Sequence, residues 1–204
     1  MDLLLSILPI LFAITIHEYA HAYVAYRLGD PTAYLAGRLT LNPLRHIDPI
    51  GALVFLITRF GWAKPVPVDH SRLGKYGMRW VSLAGPVSNF IVGILSAIVV
   101  RFIPYAPPFT ILSRIFLLSF LLNITFGLFN LIPIPPLDGS HILESYLPYY
   151  YRLQYRRWAV YGPILLIMII VFDRMTGLGI LWGWIGPILN LLSQLIIGHS
   201  IFYW

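Results

Sequence analysis

The chain has 204 residues, of which 58% are hydrophobic and 11% charged, against about 25% charged in soluble domains. It is therefore read as an integral membrane protein. Cysteine is absent, which excludes disulfides and thiolate metal sites and leaves His, Asp and Glu to hold any metal. The net charge of +6 is dispersed through connecting segments, with no basic arm of the kind that binds nucleic acid.

Leu3 to about Tyr26 reads as a first membrane span, long and apolar enough to cross a bilayer. Asp2 precedes it without a positive n-region, so a retained span is expected and not a cleaved signal peptide. Inside it lies His17-Glu18-Tyr19-Ala20-His21. Histidines four apart share one helix face, so both imidazoles can reach one cation. Glu18 sits about 100° round the helix from His17, placed to act on a water at that cation. Ionisable groups at membrane depth cost about 2.5–3.5 kcal/mol each and are functional by default. A chance pattern or a satisfied buried pair is the rival reading. It is weakened because Glu18 is one of only two glutamates in the chain.

The span ends at Arg27, Gly29, Asp30 and Pro31. Gly37 to Pro43 is expected to form a short strand and turn, and Trp62 to Val68 an extended segment, since its prolines forbid helix. Between them Gly51 to Trp62 is too short to span and reads as re-entrant or membrane-surface structure. This connector carries Arg27, Arg38, Arg45, Arg59, Lys64, Arg72, Lys75 and Arg79, which places it in the cytoplasm.

Trp80 to about Ile103 is the second span, with small residues Gly85, Ser88, Gly93, Ser96 and Ala97 suited to close helix approach. An uncharged turn at 104–108 is expected outside. Leu112 to Ile132 runs back inward with Asn123 and Asn130 within it, and breaks at Pro133, Pro135 and Pro136. Non-helical backbone at that depth is tolerated only where it lines a cavity. Ser140 to Arg157 reads as a cytoplasmic connector, Trp158 to Phe172 as a short fourth span, and about Leu178 to Gly198 as a fifth. Trp182, Trp184, Phe202, Tyr203 and Trp204 are placed like interfacial anchors. With the N-terminus outside, eleven of the fourteen basic residues fall inside.

The fold expected is an all-α polytopic membrane protein of about five or six transmembrane helices. A short cytoplasmic-side β-hairpin or re-entrant segment would separate the first two full spans. The whole of 1–204 forms one membrane-embedded domain, its core at about 3–145.

A catalytic metal site wants three protein ligands plus water. Asp138, His141, His46, Asp48, His70 and Glu144 are the candidates for the third. Asp138 follows the proline break at the cytoplasmic end of a span, on the same side as His17 and His21; the rival for its Asp-Gly is a simple turn. His141 reads as a helix-start or supporting residue.

HEYAH, the stretches 42–51, 61–68 and 84–89, and Asn130 to Gly139 together resemble the site-2 protease family of intramembrane zinc metalloproteases. The likeness is to its compact prokaryotic branch without an inserted PDZ or cystathionine-synthase-type domain. It runs in order from about residue 10 to 145, and beyond 150 only as generic spans. It implies zinc held by His17, His21 and Asp138, Glu18 as general base, and Asn130 as a residue steadying the oxyanion or substrate backbone. Pro136 matches the proline of the Asp-Gly motif, while His46, Asp48 and Asn89 fall in recurring motifs with less defined roles. The implied substrate is a single-span membrane protein, intact or already cut once, in the plasma membrane of a prokaryote. The active site would lie near the cytoplasmic face, and a homodimer is left open. A membrane zinc or proton transporter and a non-proteolytic membrane binder are the alternatives. The first lacks a polar path through the outer halves of the spans, and the second has no use for Glu18.

Overall fold

The computed structural model describes residues 2–58, 61–103 and 106–200. Arg59, the Pro104–Tyr105 part of the expected outer turn, and the anchors Phe202, Tyr203 and Trp204 lie outside these residues. The elements in order are α1 (Asp2–Arg27), α2 (Thr32–Leu35), α3 (Pro49–Thr58), α4 (His70–Phe102), α5 (Thr110–Asn130), α6 (Asp138–Tyr146), α7 (Tyr149–Ala159), α8 (Gly162–Thr176) and α9 (Ile180–Ile196).

Among the described residues three helices, α1, α4 and α5, are long and apolar enough to cross a membrane, and the pair α7–α8, bent by 62°, would make a fourth. Helix α9 has 17 residues and falls just short of the roughly 20 that a span needs. The chain is thus a multi-pass membrane protein, but length and composition do not reach five or six crossings.

Helices α1, α4 and α5 pack on one another, and α9 lies against α4 and α5. Where apolar side chains gain little by leaving lipid, close approach and internal hydrogen bonds must hold helices together. Both are present. Gly93 on α4 admits Ile124 of α5 so closely that a β-carbon there would lie 2.6 Å from its Cδ1, and Ser96 Oγ meets Ser119 Oγ at 2.9 Å. Ala97, Phe120, Ile124 and Leu128 join Ile185 and Leu189 of α9 in one buried cluster.

The expected β-hairpin is not formed. Among the described residues there is no strand, and the contact that stands in its place is one antiparallel bridge, Ile47 to Ala63, with Lys64 N–H donating to His46 C=O at 2.9 Å. The physical reason lies in the sequence: Pro65 and Pro67 have no N–H to extend the ladder. The 36–42 stretch instead turns through Gly37 (φ 65°) into irregular chain. Helix α3, ten residues long, spans about 15 Å at 1.5 Å per residue, half a bilayer core. Helix α4 starts ten residues earlier than its apolar stretch suggests. Asp69 caps it by accepting the Ser71 N–H at 2.8 Å, and a kink at Gly74 (φ 57°) separates that capped first turn from the helix that enters the span. The expected connector 140–157 contains α6 and α7.

Candidate metal centre

Helix α1 carries His17, Glu18 and His21 on its buried side, 3%, 8% and 9% exposed. The His21 ring meets the Val81 carbonyl through Nδ1 at 2.7 Å. A carbonyl only accepts, so Nδ1 holds the proton and Nε2 is left with a lone pair. For His17 a chain of amides settles the same question. Asn123 Nδ2 donates to Ser119 C=O at 2.9 Å, so its Oδ1 accepts from Asn89 Nδ2, also at 2.9 Å. Asn89 Nδ2 also reaches the Ala13 carbonyl, which turns Asn89 Oδ1 to His17 Nδ1 at 2.6 Å. His17 Nδ1 therefore donates, and its Nε2 is likewise a free acceptor.

These two nitrogens lie 3.0 Å apart, and Asp138 Oδ2 stands 3.1 Å from the first and 3.4 Å from the second. With both rings neutral and the carboxyl ionised, three such lone-pair donors repel unless a cation sits among them. Ligands about 2.0–2.1 Å from a tetrahedral zinc lie roughly 3.3 Å from one another, which is the spacing found. His17, His21 and Asp138 are the cluster among the described residues that brings three such donors together. A non-thiolate, nitrogen-and-oxygen donor set fits zinc.

Gly85 makes room for this centre. A β-carbon there would stand 2.6 Å from His17 Nε2 and closer still to His21 Nε2. The sequence marks Gly85 as a small residue for helix packing; its role as clearance for the ligands appears only in three dimensions.

The cluster opens on a cavity of about 490 Å³ that reaches Asn130, Pro136, His141, the 61–68 segment and Pro163 and Leu166 of α8. That volume lies within the usual range for a ligand pocket. Glu18 faces it, with Oε2 accepting the Val66 N–H at 3.1 Å. Asn130 lines the cavity and donates from Nδ2 to its own helix, to Phe126 C=O at 3.0 Å. His141 packs 5.6 Å from the His70 ring, and burial, together with His70, lowers its pKa.

The other candidate ligands are engaged elsewhere. His46 is fully buried and its Nε2 meets the Thr40 carbonyl at 2.8 Å. Asp48 accepts the Gly51 N–H at the start of α3, and Glu144 pairs with Arg156 at 2.6 Å.

Asn89, whose role the sequence leaves undefined, bonds the His17 ring itself. Asn89→Ala is expected to weaken zinc binding by about 10- to 100-fold, the usual effect of removing a residue that orients a ligand. Competition titration against a chelator measures this, and unchanged affinity would remove Asn89 from that role.

Comparison with known proteins adds a second line of observation. The model of peptidase family M50 matches residues 105–170, which include Asn130 and Asp138 but not His17 or His21. YwhC of Bacillus subtilis, assigned by name to the zinc metalloproteases, is 38% identical over 192 residues, covering 90% of this chain and 85% of YwhC. Rip2 of Mycolicibacterium smegmatis, named likewise, is 34% identical over 143 residues, 67% of this chain and 55% of Rip2. The zinc metalloprotease MJ0392 of Methanocaldococcus jannaschii is 27% identical over 166 residues, 80% of this chain and 41% of its own length. The chain thus spans most of YwhC but about half or less of the other two. No solved structure matches it.

Proposed function

Because the chain belongs to peptidase family M50, the site-2 protease family of intramembrane zinc metalloproteases, we propose that His17, His21 and Asp138 hold its zinc and that Glu18 is the base of peptide-bond hydrolysis. The observation that carries this reading is the convergence of three ligand atoms, 3.0–3.4 Å apart, beside a buried carboxylate.

Zinc supplies a Lewis acid that acidifies water and polarises a carbonyl. Glu18 takes the proton from the attacking water and returns it to the leaving amine. Asn89 and the Val81 carbonyl hold the imidazoles in the ligating tautomer. Asn130 swings its amide from Phe126 towards the developing oxyanion. A substrate helix hides its carbonyls and must unwind to be cut, and the extended 62–68 segment on the cavity wall offers an edge to the opened strand.

The substrate class is a single-span membrane protein, and 1–204 acts as one membrane-embedded protease domain. Helices α8 and α9 complete the crossings as fourth and fifth spans in a prokaryotic plasma membrane, the N-terminus outside. The basic residues on the connector between α1 and α4 and on α7 favour the cytoplasm for the mouth of the site. Mass-spectrometric mapping of products from a panel of labelled single-span proteins is expected to place the cut within or beside the apolar span. Cuts confined to distant soluble loops would contradict it.

A further inference from the structure

Arg38 is one of eight basic residues from Arg27 to Arg79, yet it is only 6% exposed. Its guanidinium spans two consecutive carbonyls, Nη2 donating to Lys64 C=O at 2.6 Å and Nη1 to Pro65 C=O at 3.2 Å. The next backbone group, the Val66 N–H, is the one that donates to Glu18 Oε2.

The Pro65 carbonyl and the Val66 N–H belong to one planar peptide unit and point in opposite directions. Arg38 holds one end of that plane and Glu18 the other. Pro65 and Pro67 on either side fix their own φ near −65°, which stiffens the chain flanking that plane. Among the described residues Glu18 Oε1 has no hydrogen-bond partner, while Oε2 is committed to Val66. Burial pushes the guanidinium pKa below its ordinary value and the charge of Glu18 opposes this, so the two groups act on one another across the segment.

We propose that Arg38 is a positioning residue for catalysis: by fixing the Lys64 and Pro65 carbonyls it holds the Val66 N–H on Glu18 Oε2 and leaves Oε1 as the oxygen that receives the proton. This rests on Glu18 being the base. Arg38 is not what keeps the segment folded. The Ile47–Ala63 bridge, the Lys64 N–H on His46 and the Asp69 N–H on Asp30 at 2.7 Å secure the segment on either side of it. Lysine carries the charge but lacks the planar fork that takes two acceptors at once.

The test compares wild type, Arg38→Ala, Arg38→Lys and Glu18→Gln, each solubilised and zinc-loaded, on the best-cleaved labelled single-span peptide of the panel, together with amide exchange over 63–68. Only Ala63, Lys64, Val66 and Val68 have exchangeable amides there. Arg38→Ala is expected to keep its zinc and KM, lose about 10- to 100-fold in kcat, as supporting residues of metal sites do, and exchange Val66 faster. Arg38→Lys should recover part of both. Unchanged Val66 exchange, or wild-type kcat, in Arg38→Ala would overturn the proposal. Should Glu18→Gln cleave like wild type, the base assignment itself fails. If Glu18→Gln is dead while Arg38→Ala is fully active, only the role of Arg38 fails.

Discussion

Glu18→Gln is expected to lower cleavage by at least about 10²-fold, the lower range for loss of a positioned general base, while zinc content stays at one per chain. Glutamine has the same shape and keeps an oxygen to accept the Val66 N–H, so the 64–68 segment should not move. What it cannot do is take a proton. The metal should stay because the three converging atoms belong to His17, His21 and Asp138, and Glu18 is not among them. Single-turnover cleavage and elemental analysis of one preparation separate the two effects. Loss of zinc with loss of cleavage would make Glu18 a structural support of the metal site.

Gly85→Ala should weaken metal binding at the centre. The added methyl would fall 2.6 Å from His17 Nε2 and closer to His21 Nε2, inside the space that the metal and its ligands need. Helix α4 has little room to withdraw, because Gly93 is already closed by Ile124 and Gly127 of α5 lies against Phe90 and the Pro86 carbonyl. Overpacking a tight site costs about 1–3 kcal/mol, and each 1.4 kcal/mol is tenfold in affinity. Zinc affinity should thus fall by about 10²-fold. Gly183 on α9 has nothing within 4 Å of its missing β-carbon, so Gly183→Ala should bind zinc normally. Competition titration on both variants decides this; wild-type affinity in Gly85→Ala would mean that the helices yield more easily than their packing implies.

What the sequence discloses follows the reach of each interaction. His17, Glu18 and His21 are legible because helical periodicity alone puts four-apart imidazoles on one face. Asp138 is legible because three prolines break α5 next to it. The proton positions on the two histidines are not, since they depend on Asn89 and on the Val81 carbonyl, 72 and 60 residues away along the chain. Arg38 is hidden for a similar reason: among eight basic residues from Arg27 to Arg79, only burial distinguishes the one that holds Pro65. The hairpin expectation counted extended segments without counting donors, and the prolines leave a single bridge. Hydropathy misses the start of α4 because it stops at the membrane surface, while polar helical turns kinked at Gly74 run on from His70 to Arg79. The span count exceeded what length supports because α8 and α9, at 15 and 17 residues, are apolar but short.

The most direct test of zinc held by α1 and Asp138 with Glu18 as base is one cleavage assay on a single-span peptide. Wild type and Glu18→Gln would be measured side by side before chelation, after it, and after zinc is returned. The account predicts that wild type loses activity with its zinc and regains it with one zinc per chain, and that Glu18→Gln binds the same zinc and stays inactive throughout. Cleavage by chelated wild type, or by zinc-loaded Glu18→Gln at the wild-type rate, would contradict it.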